Sequence, residues 1–356
     1  MKITKAKVSK IANIDFDNLK FGEIFTDHMF LCDYINGEWN TPEILPYQTI
    51  QMDPSSSVFH YGQAVFEGMK AYKDDLDGVW LFRPDQNFNR INKSSERLSM
   101  PAFPEKYFFE GLEKLLTLDI EWIKKGVSNS LYIRPFIFAS QAGIQAQASN
   151  AYKFMIICSP VSSYYGGREV HVQVAEKFSR AAAGGVGYAK AAGNYAAQFY
   201  PTALAMKEGF NQIIWTDATT HEYLEEAGTM NIFFRINDKL ITAPTSDRIL
   251  DGVTRKSILQ LAEHLGIKTD VRPITIHELI KSKEDGSLKE IFGAGTAVVV
   301  SEIKGFGYQN NRYVLEDISN SFASLLKQQI MDIQRNAIVD PFGWRHQVKT
   351  NDPVKI

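Results

Sequence analysis

The segment GGVGYAKAAGNY, residues 184–195, sets one lysine, Lys190, among glycines and alanines. A nucleophilic amine must be partly neutral and must swing between bonded and free states, so it needs a desolvated place among small neighbours. Gly187, Ala191, Ala192 and Gly193 offer such a place, although a surface lysine on a loop reads equally well from this segment alone. The segment is not a phosphate loop. Gly185 and Gly187 stand in G-x-G register, but the third glycine of a dinucleotide fingerprint would fall on Lys190. Neither Lys190 nor Lys70 in FEGMKAY follows the P-loop spacing.

Lys190 gains weight from its company. Glu226 lies in LEEAGTMNIFF, just before an apolar strand, where an ionised carboxylate is costly unless it has a cationic partner such as a protonated pyridine nitrogen. DGVTRKSIL opens a helix at a Gly-Val-Thr turn, whose free N–H groups and dipole favour an anion. FGAGT offers a second nest of backbone N–H groups near Thr296 and Ala297. Pyridoxal phosphate asks a protein for a Schiff-base lysine, an acid at its ring nitrogen, a phosphate cup and a donor to its phenolic oxygen. Lys190, Glu226, the GVT turn with Arg90, and Tyr195 match that list in order.

The elements that must position these residues read as mixed α and β. Residues 78–84 alternate like a strand and the following stretch as a helix capped by Asp85, with Phe88, Ile91, Ser95 and Leu98 inward and Arg90 and Arg97 on another face. A second helix spans 107–125, and SLYIRPFIFAS is a buried strand interrupted by Arg134 and Pro135, the arginine out of place in a core strand. A turn-rich stretch, 162–167, marks the domain boundary: 1–161 a small N-terminal α/β domain, 162–170 a linking loop, 171–356 a large C-terminal domain carrying Lys190. That second half holds strands at HVQV, NQIIWT and TAVVVSEI, a strand pair turning at Asn237 and Asp238, and helices after Asn194, at DGVTRKSILQLAEHLG and at the end, 318–334. The tail from Asn336 carries no pattern.

With 356 residues, 44% of them hydrophobic, and a net charge of −2, the chain can bury two cores and shows no basic footprint for nucleic acid or anionic membrane. No apolar run is long enough to span a bilayer, the start lacks a signal-type core, and Cys32 and Cys158 form no metal or redox spacing; the expectation is a cytoplasmic protein without metal.

FTDHM, DPSSSVFHYGQAVFEGMKAY, LYIRP, GGVGYAKAAGNY, EEAGTMNIFF, DGVTRKSIL and FGAGTAVVV resemble, in order, the signature segments of the branched-chain amino-acid aminotransferases, over residues 21–334. The resemblance implies a two-domain α/β (α+β) fold-type IV pyridoxal-phosphate enzyme, like the D-amino-acid aminotransferases, working as a homodimer. It implies Lys190 as the Schiff-base lysine, Glu226 on the pyridine nitrogen, Tyr195 on the phenolic oxygen, and Arg90, Val253, Thr254 and Thr296 on the phosphate. Substrate would meet Phe21, Tyr61, Phe66, Tyr132, Arg134, Tyr164 and Thr229, with Thr296 and Ala297 on its α-carboxylate; Tyr61 and Phe66 would reach in from the neighbouring subunit. An aromatic pocket suits the leucine, isoleucine or valine side chain, and Arg134 suits the second carboxylate of glutamate. Where the family's mammalian members carry a redox C-x-x-C, this chain has Val298 and Ser301. His28 and His60 read as structural hydrogen-bonders. The rival readings are a D-amino-acid aminotransferase, an aminodeoxychorismate-type lyase, a dinucleotide-dependent oxidoreductase and a catalytically silent binding protein.

Overall fold

The structure, a computed structural model, describes residues 1–162 and 169–349. The chain forms two compact units, one of Met1–Tyr164, Ala189–Ala192 and Asp332–Ile356, the other of Tyr165–Tyr188 and Gly193–Met331. Among the described residues no helix is long and apolar enough to cross a membrane.

The first unit is built on one mixed sheet whose middle runs His28–Ile35, Tyr152–Val161, Ser130–Ala139, Met69–Lys73 and Val79–Phe82, all antiparallel neighbours. Side chains alternate between faces with period two. Phe30, Ile133, Ile137, Phe154 and Ile156 enter the main core, which also takes Phe108 and Leu112 of the helix Glu105–Leu118 and Ile91 of the helix Pro84–Arg97. Tyr132, Arg134 and Phe136 therefore emerge on the opposite face of the sheet. The arginine that breaks the apolar pattern of its strand is an ordinary alternate position.

Pro135 does not interrupt that strand, which runs unbroken over Ser130–Ala139. One edge of it is covered by two short strands, Ala64–Phe66 pairing with 136–138 and Met69–Lys73 pairing with 131–133. Pro135 faces the break between them, where its carbonyl accepts the Glu67 N–H at 2.7 Å and its missing donor is not needed. The helix after Phe82 begins at Pro84, with Arg83 at the cap in a left-handed conformation (φ 50°), because proline at the first helical position needs no partner for its absent N–H. The next helix stops at Leu118 and not near 125: Asp119 turns inward to receive His28 Nδ1 at 2.6 Å and the His28 N–H at 3.2 Å.

The C-terminal segment also belongs to this unit. Its strand Arg345–Gln347 pairs with Val79–Phe82, Arg345 opposite Phe82, and Val348 N–H donates to the Val79 carbonyl. The division expected from the sequence groups both this tail and Lys190 with the second half. The tail instead finds the open edge of the first sheet, and residues 189–192 are likewise drawn in by main-chain bonding described below.

The second unit contains two five-stranded sheets. One runs Leu224–Ala227, Gln212–Thr216, His171–Val174, Gly305–Tyr308, Asn311–Val314; the other runs Lys268–Val271, Lys239–Thr242, Asn231–Ile236, Leu288–Gly295, Val299–Ile303. Val172, Ile214, Ile232, Phe234, Ile291 and Phe306 form the shared core. The hairpin turns at Asn237 (φ 52°) and Asp238, and the helix Val253–His264 ends into Gly266 (φ 72°), both residue types that adopt a left-handed turn at low cost.

Candidate active site

Lys190 is held by its main chain on both sides. Its N–H donates to Ser94 Oγ at 2.9 Å and its carbonyl accepts the Phe66 N–H at 3.1 Å, while Ala191 bridges Val65. Ser94 is buried on the helix Pro84–Arg97, and Phe66 ends the short strand that Pro135 leaves room for. A side chain on so fixed a backbone swings about its own bonds alone. Its Nζ lies 4.8 Å from the centre of the Phe66 ring, and the flanking Ala189 and Ala191 are buried, where longer side chains would collide. The expectation that Phe66 reaches a neighbouring subunit's site is corrected here: bonded to Lys190 through the backbone, its ring sits beside the lysine of its own chain.

The same unit holds five more of the expected residues, Arg90 among them. Arg134 lies over the Phe66 ring at 4.5 Å and donates from Nη2 to the Tyr132 hydroxyl at 3.0 Å; among the described residues its buried Nε has no hydrogen-bond partner. Tyr132 meets the Phe21 ring edge-on at 4.9 Å. Tyr61, half-exposed, donates to the Ile144 carbonyl. Lys70, the rival nucleophile, sits on the strand Met69–Lys73 opposite Tyr132 and is buried. His28 is fully engaged, Nδ1 on Asp119 and Nε2 accepting the Ala6 N–H at 2.9 Å, and His60 Nε2 meets the Pro54 carbonyl at 3.0 Å. Tyr164 lies outside the described residues.

Arg90 carries a partner that sequence reasoning did not find. Glu67, fully buried, receives Arg90 Nε at 2.6 Å and Nη2 at 2.9 Å. Burial alone would push the Glu67 carboxyl up, but the charges of Arg90 and Lys190 and the bonds from Arg90 and Asn87 outweigh it and hold the group below the usual carboxylate range. The available signal was a lone acid in the otherwise apolar run AVFEGM.

In the second unit Glu226 stands on the strand Leu224–Ala227 and is 5% exposed. The cation that such a carboxylate requires is Arg180, at 2.6 Å, and further donors are Asn231 Nδ2 at 2.9 Å and the Leu250 N–H at 3.2 Å from each oxygen. Every one of these contacts brings a donor, and a carboxylate so surrounded acts as an acceptor. Arg180 also donates to the Gly187 carbonyl at 2.9 Å, so one guanidinium ties the glycine segment to the acid. Neither Arg180 nor Asn231 stood out in the sequence: Arg180 is distant from Glu226 along the chain, and Asn231, five residues on, reads as the start of an ordinary strand. Glu225, its side chain on the other strand face, pairs with Arg248; burial raises its carboxyl even so.

The helix Val253–His264 starts at Gly252 with no side-chain cap and no acid in its first turn, so the N–H groups at Val253 and Thr254 keep their affinity for an anion. Thr296 and Ala297 lie half-buried in the turn between Leu288–Gly295 and Val299–Ile303. That turn closes on Val299 at φ 60°, a conformation β-branched residues rarely hold, and such strain collects where a turn must present its backbone to something. Thr229 is exposed in the turn before Asn231, and Tyr195 is half-buried on the short helix Ala192–Ala196. The chain thus supplies an amine on a fixed backbone, a charge-stabilised buried acid, anion-binding backbone and an arginine whose buried Nε has no partner among the described residues. Among the described residues no cluster of His, Cys, Asp and Glu could hold a metal ion.

Comparison with known proteins accounts for the combination. The model of the family "Amino-transferase class IV" matches residues 64–306. "Branched-chain-amino-acid aminotransferase 2" of Bacillus subtilis is 43% identical over 338 residues, covering 94% of this chain and 93% of that protein. The crystal structure of the Escherichia coli branched-chain amino acid aminotransferase shares the fold with a TM-score of 0.73 at 24% identity, covering 89% of this chain and 99% of that one. That of the branched-chain aminotransferase from the thermophilic archaeon Thermoproteus uzoniensis, with norvaline, gives 0.74 at 21% identity, covering 90% and 99%. The chain belongs to the class IV aminotransferases, and within them to the branched-chain-amino-acid aminotransferases.

Proposed function

We propose that the protein exchanges the amino group of L-leucine, L-isoleucine or L-valine with 2-oxoglutarate, in two half-reactions of ping-pong order, using pyridoxal 5'-phosphate. The observation that carries this reading is Lys190, an amine on a backbone bonded to Phe66 and Ser94, in a chain 43% identical to an aminotransferase of that name. The chemistry of the donors fits the cofactor: an uncapped helix start for a phosphate, and a buried acceptor acid for a ring N–H.

When bound, the cofactor supplies an aldehyde carbon for the amine and a protonated ring that draws electrons from the substrate α-carbon. Lys190 would hold the cofactor through its amine and, when that amine is free, would take the proton from and return it to the substrate α-carbon. Glu226 accepts the ring N–H and keeps it protonated, Tyr195 donates to the phenolic oxygen, and Arg90, Val253, Thr254 and Thr296 bind the phosphate. The backbone at Thr296 and Ala297 takes the α-carboxylate, while Phe21, Tyr61, Phe66, Tyr132, Tyr164 and Thr229 surround the side chain. Arg134, whose buried Nε has no partner among the described residues, takes the second carboxylate of glutamate. The enzyme works in the cytoplasm as a homodimer, to which Tyr61 contributes across the interface; the exposed apolar residues Phe59, Tyr61 and Ile144 support that surface, and the two free thiols suit that compartment.

The test is a purified protein loaded with pyridoxal phosphate. It should carry a visible absorbance band that borohydride fixes irreversibly, and should transfer nitrogen from L-leucine, not D-alanine, to 2-oxoglutarate. Lys190→Ala should bind the cofactor without fixation and lose turnover. Activity on D-alanine alone would replace the reading with the D-amino-acid one, and a protein that takes up no cofactor would end both.

A further inference from the structure

We propose that Glu67 is a positioning residue for the phosphate site: it grips the Nε–Nη2 edge of Arg90 and so fixes the orientation in which the guanidinium meets the cofactor phosphate. The proposal rests on the reading of Arg90 as a phosphate ligand. Its own ground is the geometry of one carboxylate. Glu67 is completely buried, and its oxygens take Arg90 Nε at 2.6 Å, Arg90 Nη2 at 2.9 Å, Asn87 Nδ2 at 2.7 Å and the Gly68 N–H at 3.1 Å. The Glu67 N–H is tied in turn to the Pro135 carbonyl at 2.7 Å. Asn87 and Arg90 stand three residues apart on one face of the helix Pro84–Arg97, so a single residue in the break between two strands locks two side chains of that helix.

Stability is a poor explanation for this arrangement. A buried ion pair is commonly matched or bettered by apolar residues of similar volume, because desolvation offsets most of the attraction. Charge complementarity is a worse one: a carboxylate cancels part of the positive field that an incoming phosphate would feel. What Glu67 adds is orientation. Arginine has a long, rotamer-rich side chain, and a guanidinium already fixed along one edge loses less freedom when it binds along another. The short backbone link from Phe66 to Lys190 places this clamp one residue from the chain that carries the amine, and the same carboxylate feels the charge of Lys190.

Orientation and charge predict opposite signs, which makes the proposal testable on the full-length apoprotein. Pyridoxal phosphate and pyridoxal, which lacks the phosphate, are titrated by absorbance against wild type, Glu67→Gln and Glu67→Asp, with thermal unfolding of each apoprotein as the check on folding. Glu67→Asp keeps the charge but shortens the reach by one methylene, and serves alone if Glu67→Gln does not fold. The expected result is an affinity loss on the order of tenfold for pyridoxal phosphate in both variants, with pyridoxal unchanged. Tighter binding of pyridoxal phosphate by Glu67→Gln, or wild-type affinity in Glu67→Asp, would overturn the proposal in favour of a charge effect; equal losses for both ligands would reduce Glu67 to a fold residue. Wild type that prefers pyridoxal phosphate no more than pyridoxal would instead remove the phosphate reading itself.

Discussion

The Phe66 N–H donates to the Lys190 carbonyl at 3.1 Å, and the ring of the same Phe66 lies 4.8 Å from the Lys190 Nζ. One residue thus fixes the lysine's main chain and faces its amine. Phe66→Leu keeps the main-chain bond and most of the volume but removes the aromatic face that also underlies Arg134. A cation over a ring contributes about 0.5–2 kcal/mol, so kcat/KM for leucine should fall roughly tenfold with little change in melting temperature. Steady-state kinetics beside a thermal melt checks this; an unchanged kcat/KM would make the ring mere filling.

Gly68 has no space for a side chain. A Cβ there would overlap the Tyr132 hydroxyl and stand 2.9 Å from its Cζ. Tyr132 in turn receives Arg134 and packs on Phe21, so Gly68→Ala should displace the aromatic and its arginine together. Overpacking of this kind costs about 1–3 kcal/mol. The variant should melt lower and lose more activity with glutamate than with leucine, as single-turnover measurements of the two half-reactions will read.

Arg134 has a buried Nε without a partner among the described residues, which is expensive unless something negative arrives to meet it. Glutamate brings a second carboxylate and leucine does not. A hydrogen bond to a charged group is worth about 1.5–3 kcal/mol, so Arg134→Ala should slow the glutamate half-reaction by about 10–100-fold and the leucine half-reaction much less. Equal losses would assign Arg134 to packing.

These residues differ in how visible they were along the chain. Lys190 and Arg134 stand out because each is a charge set in a run of the opposite character, small residues around one and apolar residues around the other. The helix start at Val253 follows from local signals, a Gly-Val-Thr turn before an amphipathic stripe. Glu67 with Arg90, and Arg180 with Glu226, escaped because a pair's meaning lies in its partner, and periodicity does not say which distant charges meet. The strand Leu224–Ala227 was missed for a related reason: LEEA has little β propensity, and it is held by pairing with Gln212–Thr216. The terminal strand Arg345–Gln347 likewise exists because Val79–Phe82 leaves an edge for it.

Gly252 caps the helix Val253–His264 at an ordinary φ of −67°, so its lack of a side chain reflects space, not backbone strain. A Cβ would overlap Asn231 Oδ1, and Asn231 steadies both Glu226 and the Leu250 carbonyl at 2.9 Å. Gly252→Ala should loosen the acid and the helix start together, weakening cofactor binding about tenfold or more and lowering stability by about 1–3 kcal/mol. Gly193→Ala, whose Cβ meets nothing within 4 Å, is the control and should leave apoprotein stability unchanged. Absorbance titration and thermal unfolding of the two variants decide the matter; similar losses in both would remove the specific role of Asn231.

Cys32 and Cys158 lie on adjacent strands, and Cys32 is paired with Phe154, four residues from Cys158. At about 3.3 Å per strand residue the two are roughly 13 Å apart, beyond the ~7 Å reach of a disulfide. Burial pushes the Cys32 thiol up to about 12, with Asp33 adding to it, and burial raises Cys158 as well. The thiolate is the reactive form, so a thiol raised this far by burial stays almost wholly protonated and unreactive near neutral pH. Both thiols should therefore resist a disulfide reagent for hours in the native protein and react completely, two per chain, in denaturant. Under these conditions the native reaction rate reports opening of the first unit's core, and it should slow when cofactor binding stabilises the native state. A stoichiometric fast phase in the native protein would mean that one thiol is accessible and its burial illusory.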